Sequence, residues 1–261
     1  MNKKNDFSYF RGWFDDYEKR FDGSDEQISA MIRMKSEHSL RVAENCRVIA
    51  TELELDHLQT EEASVMGLFH DIGRFRQLVD YGTFSDGKSV NHAELGASIL
   101  GVESVLNVLG PDSERRIIHA IRLHNVLILP DNLPEDTLLP AKIIRDADKL
   151  DICDVLFSAW KNKELEKYPE IMFGISLDGL VSPEAEAQIR KREVISFANL
   201  RTLSDFFLNQ LSWVYDINLA PAFRLIMDRG LISNIAEVLN GQSGVSDVLR
   251  DAEKYVAARA E

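Results

Sequence analysis

The chain has 261 residues, is 45% hydrophobic and carries a formal net charge of −13. That is enough chain to bury a sizeable core, while the acidic balance excludes a general duplex nucleic-acid binder, which a polyphosphate backbone would repel. With only Cys46 and Cys153 it is no disulfide scaffold, and no stretch approaches the roughly 20 apolar residues that span a bilayer.

Taken in chain order, helical periodicity dominates. Residues 1–23 are polar at the start, lack the apolar run of a signal peptide and read as an N-terminal extension. Ser24 with Gln27 forms a capping-box pattern, opening a helix over about Asp25–Leu53. A second helix is expected from Thr60 to Leu78, followed by a loop from Asp80 to Ser89. Asn91 with Glu94 caps a helix ending near Leu109. Gly110-Pro111-Asp112 is a break, after which Ser113 caps a helix to about Val126. The proline-rich stretch 129–140 reads as a loop. A long helix runs from Pro140 to Asn162, residues 163–182 are irregular, and two or three helices follow from Pro183. Strand-type alternation is essentially absent, so the class is all-α, with a helical body over residues 24–162 and a further helical region over 163–261.

The chemistry lies in the histidines. His38 sits on the stripe of the first helix, one turn before Val42. His92 begins a stripe continuing through Leu95 and Ile99. On the helix after Ser113, His124 falls about 65° from the centre of the apolar stripe and His119 about 155°, so His124 faces inward and His119 does not. His57 reads as a surface residue. His70 and Asp71 lie in a very apolar run. One inward histidine is usually a satisfied core residue. Four of them on four helices each need a buried partner, and a shared metal ion satisfies all of them together. Neutral imidazole and carboxylate hold Fe, Mn, Co, Ni or Zn, with availability choosing among them.

The order His38, then His70-Asp71-Ile72-Gly73, then the aspartate of Ala147-Asp148-Lys149-Leu150 resembles the H…HD…D signature of the HD superfamily in its HDIG form. Asn91-His92-Ala93-Glu94-Leu95-Gly96 and Ala120-Ile121-Arg122-Leu123-His124 resemble the next histidine segments of its two-metal branch. The resemblance spans about residues 30–160. It implies an HD-type helical bundle in which His38, His70, Asp71 and Asp148 hold one divalent ion, while Asp71 bridges to a second held by His92 and His124. Periodicity does not choose among the aspartates of the long helix; Asp146 and Asp151 stay open as rivals to Asp148 or as acceptors that orient imidazoles.

The resemblance further implies phosphate-ester hydrolysis by a hydroxide bridging two ions, with the ions clamping the phosphoryl group. Arg74 is the candidate for charge stabilisation at the mouth of the site. Two-metal relatives often carry Lys there, and arginine is a poor proton donor though a good phosphate ligand. Arg122 and Lys149 are further candidates for phosphate contact. The expected partner is a small phosphorylated substrate, nucleotides included, with no duplex and no membrane, in a cytoplasmic setting. Two other functions stay open. One is a diiron oxygenase, which uses the same ligand types; the other is a non-catalytic nucleotide-sensing module. The loops 81–91 and 163–182 are candidates for pocket walls or lids. Arg201, Trp213 and Tyr215 read as core packing rather than nucleotide contacts.

Overall fold

The structure is a computed structural model describing residues 6–21, 23, 25–165, 175–242 and 244–261. Among these it is all-α, with no strand beyond one isolated bridge between Ser176 and Thr202. The chain packs into two units, Met1–Asp151 and Ile152–Glu261.

The first unit holds α1 (Phe7–Glu18), α2 (Glu26–Glu52), α3 (His57–Phe69), α4 (Ile72–Tyr81), α5 (His92–Glu103), α6 (Pro111–Leu123) and most of α7 (Glu135–Lys161). Helix α2 packs along α3, α3 against α6, α4 against α5, and α5 against α6. Two close approaches set this geometry. A Cβ on Gly67 would lie 2.7 Å from Ala43 Cα, so α3 meets α2 backbone to backbone. A Cβ on Gly73 would lie 2.1 Å from His92 O and 2.7 Å from Gly96 N, so α4 and the start of α5 are in direct main-chain contact.

Helix α1 is part of this core rather than an appendage. Asp6 caps it, and its buried Phe10, Phe14 and Tyr17 lie on one face at helical spacing. Phe14 packs against Phe69 (6.2 Å between centroids) and Phe75 (5.6 Å), and Trp13 stands edge-on to Phe69 at 5.6 Å. Phe69 immediately precedes His70 and Phe75 follows Asp71 by one turn, so α1 braces the turn carrying both.

Several boundaries differ from the sequence reading. Asp25 caps α2, accepting from Gln27 N and Ile28 N at 2.9 and 3.1 Å; Ser24 lies outside the described residues. The expected helix 60–78 is two helices, α3 and α4, broken at His70-Asp71, with Asp71 at φ −101°, ψ 13°. Asn91 caps α5 as expected, but the Glu94 side chain pairs with Arg122 instead of closing the box. The α5 helix stops at Ser104, a residue in the left-handed region, and a 3-10 turn continues to Leu109. Ser113 is buried inside α6, where Arg116 donates to it; Gly110 and Pro111 begin that helix. Pro140 lies within α7, which starts five residues earlier. The proline forgoes a single main-chain bond there, and the helix runs on.

In the second unit, α9 (Leu203–Ser212) is buried on every side, with α8 (Pro183–Ile189), α11 (Leu231–Val238) and α12 (Val245–Ala257) against it. Helix α10 (Ala220–Asp228) packs on α11 and α12. More helices follow Pro183 than the sequence reading expects. One reason is Gly230, whose φ of 61° turns the chain sharply between α10 and α11. Buried Asp205 accepts from the backbone N–H groups of Ser182, Arg201 and Thr202, fixing the entry to α9. Half-buried Tyr215 donates to Asp251, and Arg201, which is exposed, donates to the carbonyls of Ala198 and Leu200. Of the segment 163–182, residues 166–174 lie outside the described residues.

Candidate metal centre

All six residues expected as ligands converge in the first unit. His38 comes from the middle of α2, His70 and Asp71 from the turn between α3 and α4, His92 from the first position of α5, His124 from the end of α6 and Asp148 from α7. All but Asp148 are buried, and its side chain is 20% exposed.

Two sets of atoms form around Asp71. On its Oδ2 side stand His38 Nε2 (3.8 Å) and His70 Nε2 (3.7 Å), with Asp148 Oδ1 3.1 Å from His38 Nε2 and 3.7 Å from His70 Nε2. On its Oδ1 side stand His92 Nε2 (3.2 Å) and His124 Nε2 (3.8 Å). Ligand atoms about 2.1 Å from a common ion lie roughly 3–3.5 Å from each other, which is the scale of these separations. Among the described residues, three overlapping groups of such atoms each fall within 4.8 Å: His38, His70 and Asp71; His70, His124 and Asp148; and Asp71, His92 and His124.

The other ring nitrogens explain why Nε2 points inward. His70 Nδ1 donates to Gly67 O at 2.8 Å and His124 Nδ1 to Ile121 O at 2.7 Å. His38 Nδ1 donates to Asp151 Oδ2 at 2.7 Å, and His92 Nδ1 to Asp86 Oδ2 at 2.8 Å. These contacts fix the tautomer and leave the Nε2 lone pairs facing the centre. Yet His38 Nε2 and His70 Nε2 are 3.2 Å apart, and His92 Nε2 and His124 Nε2 2.9 Å apart. Lone pairs at that range repel unless a cation lies between them. Asp148 Oδ1 is buried and accepts no hydrogen bond, which by itself is costly. Both observations fit divalent ions held by this set.

Residues 36–153 match the family model of the HD domain. That match takes in all six candidate ligands, from His38 to Asp148. No curated protein and no solved structure matches the chain.

The electrostatics of the centre favour the ligand forms of His124, His70, Asp71 and Asp148. Burial, with His92 and His70 beside it, pushes the His124 imidazole down to about 3; burial likewise lowers His70. Burial works against the Asp71 carboxylate, but Lys35, His70, Arg74 and His92 hold it well below the usual range. Asp148 is also held low, by His38 and His70 against the effect of burial. At His38, burial and Lys35 oppose a proton, while Asp148 and Asp151 more than offset them. Positive charge is thus favoured between His38 and Asp148, where an ion would supply it.

Of the rival aspartates, Asp151 orients His38 and is clamped by Arg41 at 2.7 and 3.1 Å. Asp146 is wholly buried and, after burial and Asp148, helps to raise the Cys46 thiol. Arg74 meets the site: Nε donates to Asp71 Oδ1 at 3.3 Å, and Nη1 to Gln77, Phe84 O and Asp86. Arg122 is engaged with Glu94 in an exposed pair at 3.1 Å. Lys149 Nζ reaches Arg145 O at 3.5 Å. His57 and His119 are exposed, as their positions suggested.

Sequence reasoning missed four contributors. Lys35 donates to Asp71 Oδ2 at 2.8 Å; its signal is its place one turn before His38 on the same face of α2. Arg41 is signalled in the same way, one turn after. Buried Arg145 donates to the carbonyls of His124, Val126 and Leu127, countering the C-terminal charge of α6 where His124 sits. Asp86, in the 81–91 loop, binds His92, Arg74, Gln77 and Asn125. Burial tends to raise its carboxyl, but these donors, His92 first, hold it at about 2. A loop carries no periodicity from which that role could be read.

Proposed function

We propose that the chain is a metal-dependent phosphohydrolase of the two-metal, HDIG-type branch, acting on a small phosphorylated molecule with nucleotides among the candidates. His38, His70, Asp71 and Asp148 would hold one divalent ion, and Asp71, His92 and His124 the other. The observation carrying this reading is that the two oxygens of Asp71 face two separate imidazole pairs. Bound there, two ions would supply Lewis acidity and a water activated at neutral pH.

The protein's own groups do the rest. Asp151, Gly67 O, Asp86 and Ile121 O hold the four rings in place. Asp71 and Asp148 offset only half the charge of two divalent ions, and Lys35 and Arg74 add two more positive charges beside Asp71. The centre is therefore locally cationic within a chain of net charge −13, which favours an anionic ligand.

The test is turnover of nucleotides and phosphate monoesters by protein loaded with Mn²⁺, Fe²⁺, Co²⁺ or Ni²⁺, without O₂. Anaerobic hydrolysis supports the reading; activity that strictly requires O₂ overturns it in favour of oxygenase chemistry. Asp71→Ala is expected to abolish turnover, and retained activity contradicts the bridge.

A further inference from the structure

Two cations flank Asp71, and they are not equivalent. Arg74 spreads its guanidinium over four acceptors: Asp71 Oδ1, Gln77 Oε1, Phe84 O and Asp86 Oδ1. Two of these belong to the 81–91 loop, and Asp86 in turn holds His92. Its Nε and Nη1 donors are spent on protein atoms. Lys35 stands on the opposite side. Its ammonium donates to Asp71 Oδ2 at 2.8 Å and lies 5.7 Å from the centre of the Phe84 ring, and its side chain is 16% exposed. An ammonium has three donors, and Asp71 Oδ2 is an atom the proposed first ion also claims. Among the described residues no second acceptor takes its remaining N–H donors.

We infer that Lys35 is the residue that binds the anionic oxygens of the substrate, and that Arg74 is a positioning residue holding Asp71 and the Asp86 loop. This rests on the two-ion reading above. It assigns the phosphate-facing cation to α2 rather than to the helix that follows the His-Asp pair. Arg74 would act through Asp71 and His92, whereas Lys35 would touch the substrate.

The test uses Mn²⁺-loaded full-length protein and inorganic phosphate as the probe, read by calorimetry, with Mn²⁺ per chain measured in parallel. Lys35→Gln is expected to keep the wild-type Mn²⁺ content and to weaken phosphate binding about tenfold or more, the scale of a lost charge-assisted contact. Lys35→Arg keeps the charge and is expected to stay within a few-fold of wild type. Arg74→Gln is expected to lower Mn²⁺ content, because it loosens Asp71 and His92. Three results overturn the assignment. One is wild-type phosphate affinity in Lys35→Gln; another is loss of Mn²⁺ from that variant, which marks a structural role. The third is a loaded wild-type protein with no affinity for phosphate. Failure of the hydrolytic reading shows separately, as loaded wild-type protein that binds phosphate through Lys35 yet turns over no ester.

Discussion

Replacing Gly73 by Ala tests the claim that main-chain contact between α4 and α5 builds the half of the centre made by His92 and His124. The added Cβ would lie 2.1 Å from His92 O and 2.7 Å from Gly96 N. Non-bonded heavy atoms settle about 3.5 Å apart, so the start of α5 must retreat by about 1.4 Å. Neither clashing atom is at the tip of a flexible side chain, so the strain cannot be relieved by a rotamer change. Overpacking of this kind costs about 1–3 kcal/mol, sometimes more. The retreat carries His92 Nε2 away from Asp71 Oδ1, 3.2 Å distant at present. The set made by His38, His70 and Asp148 lies on α2, α7 and the α3–α4 turn and stays assembled. Expected, then, are a lowered Tm and about one Mn²⁺ per chain after dialysis, against the two expected of wild type. Gly101→Ala on the same helix is the control, since nothing lies within 4 Å of its Cβ. It should leave metal content unchanged and stabilise by up to about 1 kcal/mol. A Gly73→Ala protein with wild-type Tm and two ions refutes the reasoning.

Three further outcomes follow from the same geometry. Phe14 is fully buried between Phe69 and Phe75, so Phe14→Ala should cost about 3–5 kcal/mol in denaturant unfolding; a change below 1 kcal/mol would show that α1 is not core. Asp151→Ala removes the acceptor of His38 Nδ1 and should weaken one ion by about 10–100-fold in competition with a chelator, an effect absent from the surface variant Asp112→Ala. Burial, and then the charge of Glu103, pushes the Tyr17 phenol up to about 12. The unfolded chain therefore releases this proton first, and stability should fall as pH rises from about 10 to 12, by up to roughly 1.4 kcal/mol per pH unit. Tyr17→Phe should flatten that slope in chemical denaturation; an unchanged slope contradicts it.

Much of the centre was legible because inward histidines declare themselves by helical phase. His124 and His119 separate on that ground alone, and the structure buries one and exposes the other. The break between α3 and α4 was not legible, because the apolar run through Leu68, Phe69 and Ile72 continues across it. Tertiary contact makes that break, with Gly67 seated on α2 and Gly73 on α5. Among the aspartates of α7, phase failed for a physical reason. Asp148 and Asp151 lie one turn apart and stand beside the two nitrogens of a single ring, Nε2 and Nδ1 of His38, so both must face it. The role of α1 was written in the spacing of Phe10, Phe14 and Tyr17, obscured by the polar residues around them. Asp86 was beyond reach, since only the folded loop brings it to His92.

The most direct test of the centre is an anomalous-scattering map from Mn²⁺-soaked crystals. Two peaks are expected about 3.5–4 Å apart, one between His38, His70 and Asp148 and one between His92 and His124, with Asp71 touching both. Absence of density at these six side chains, or a single peak that leaves His92 and His124 without an ion at saturating Mn²⁺, contradicts the two-ion reading.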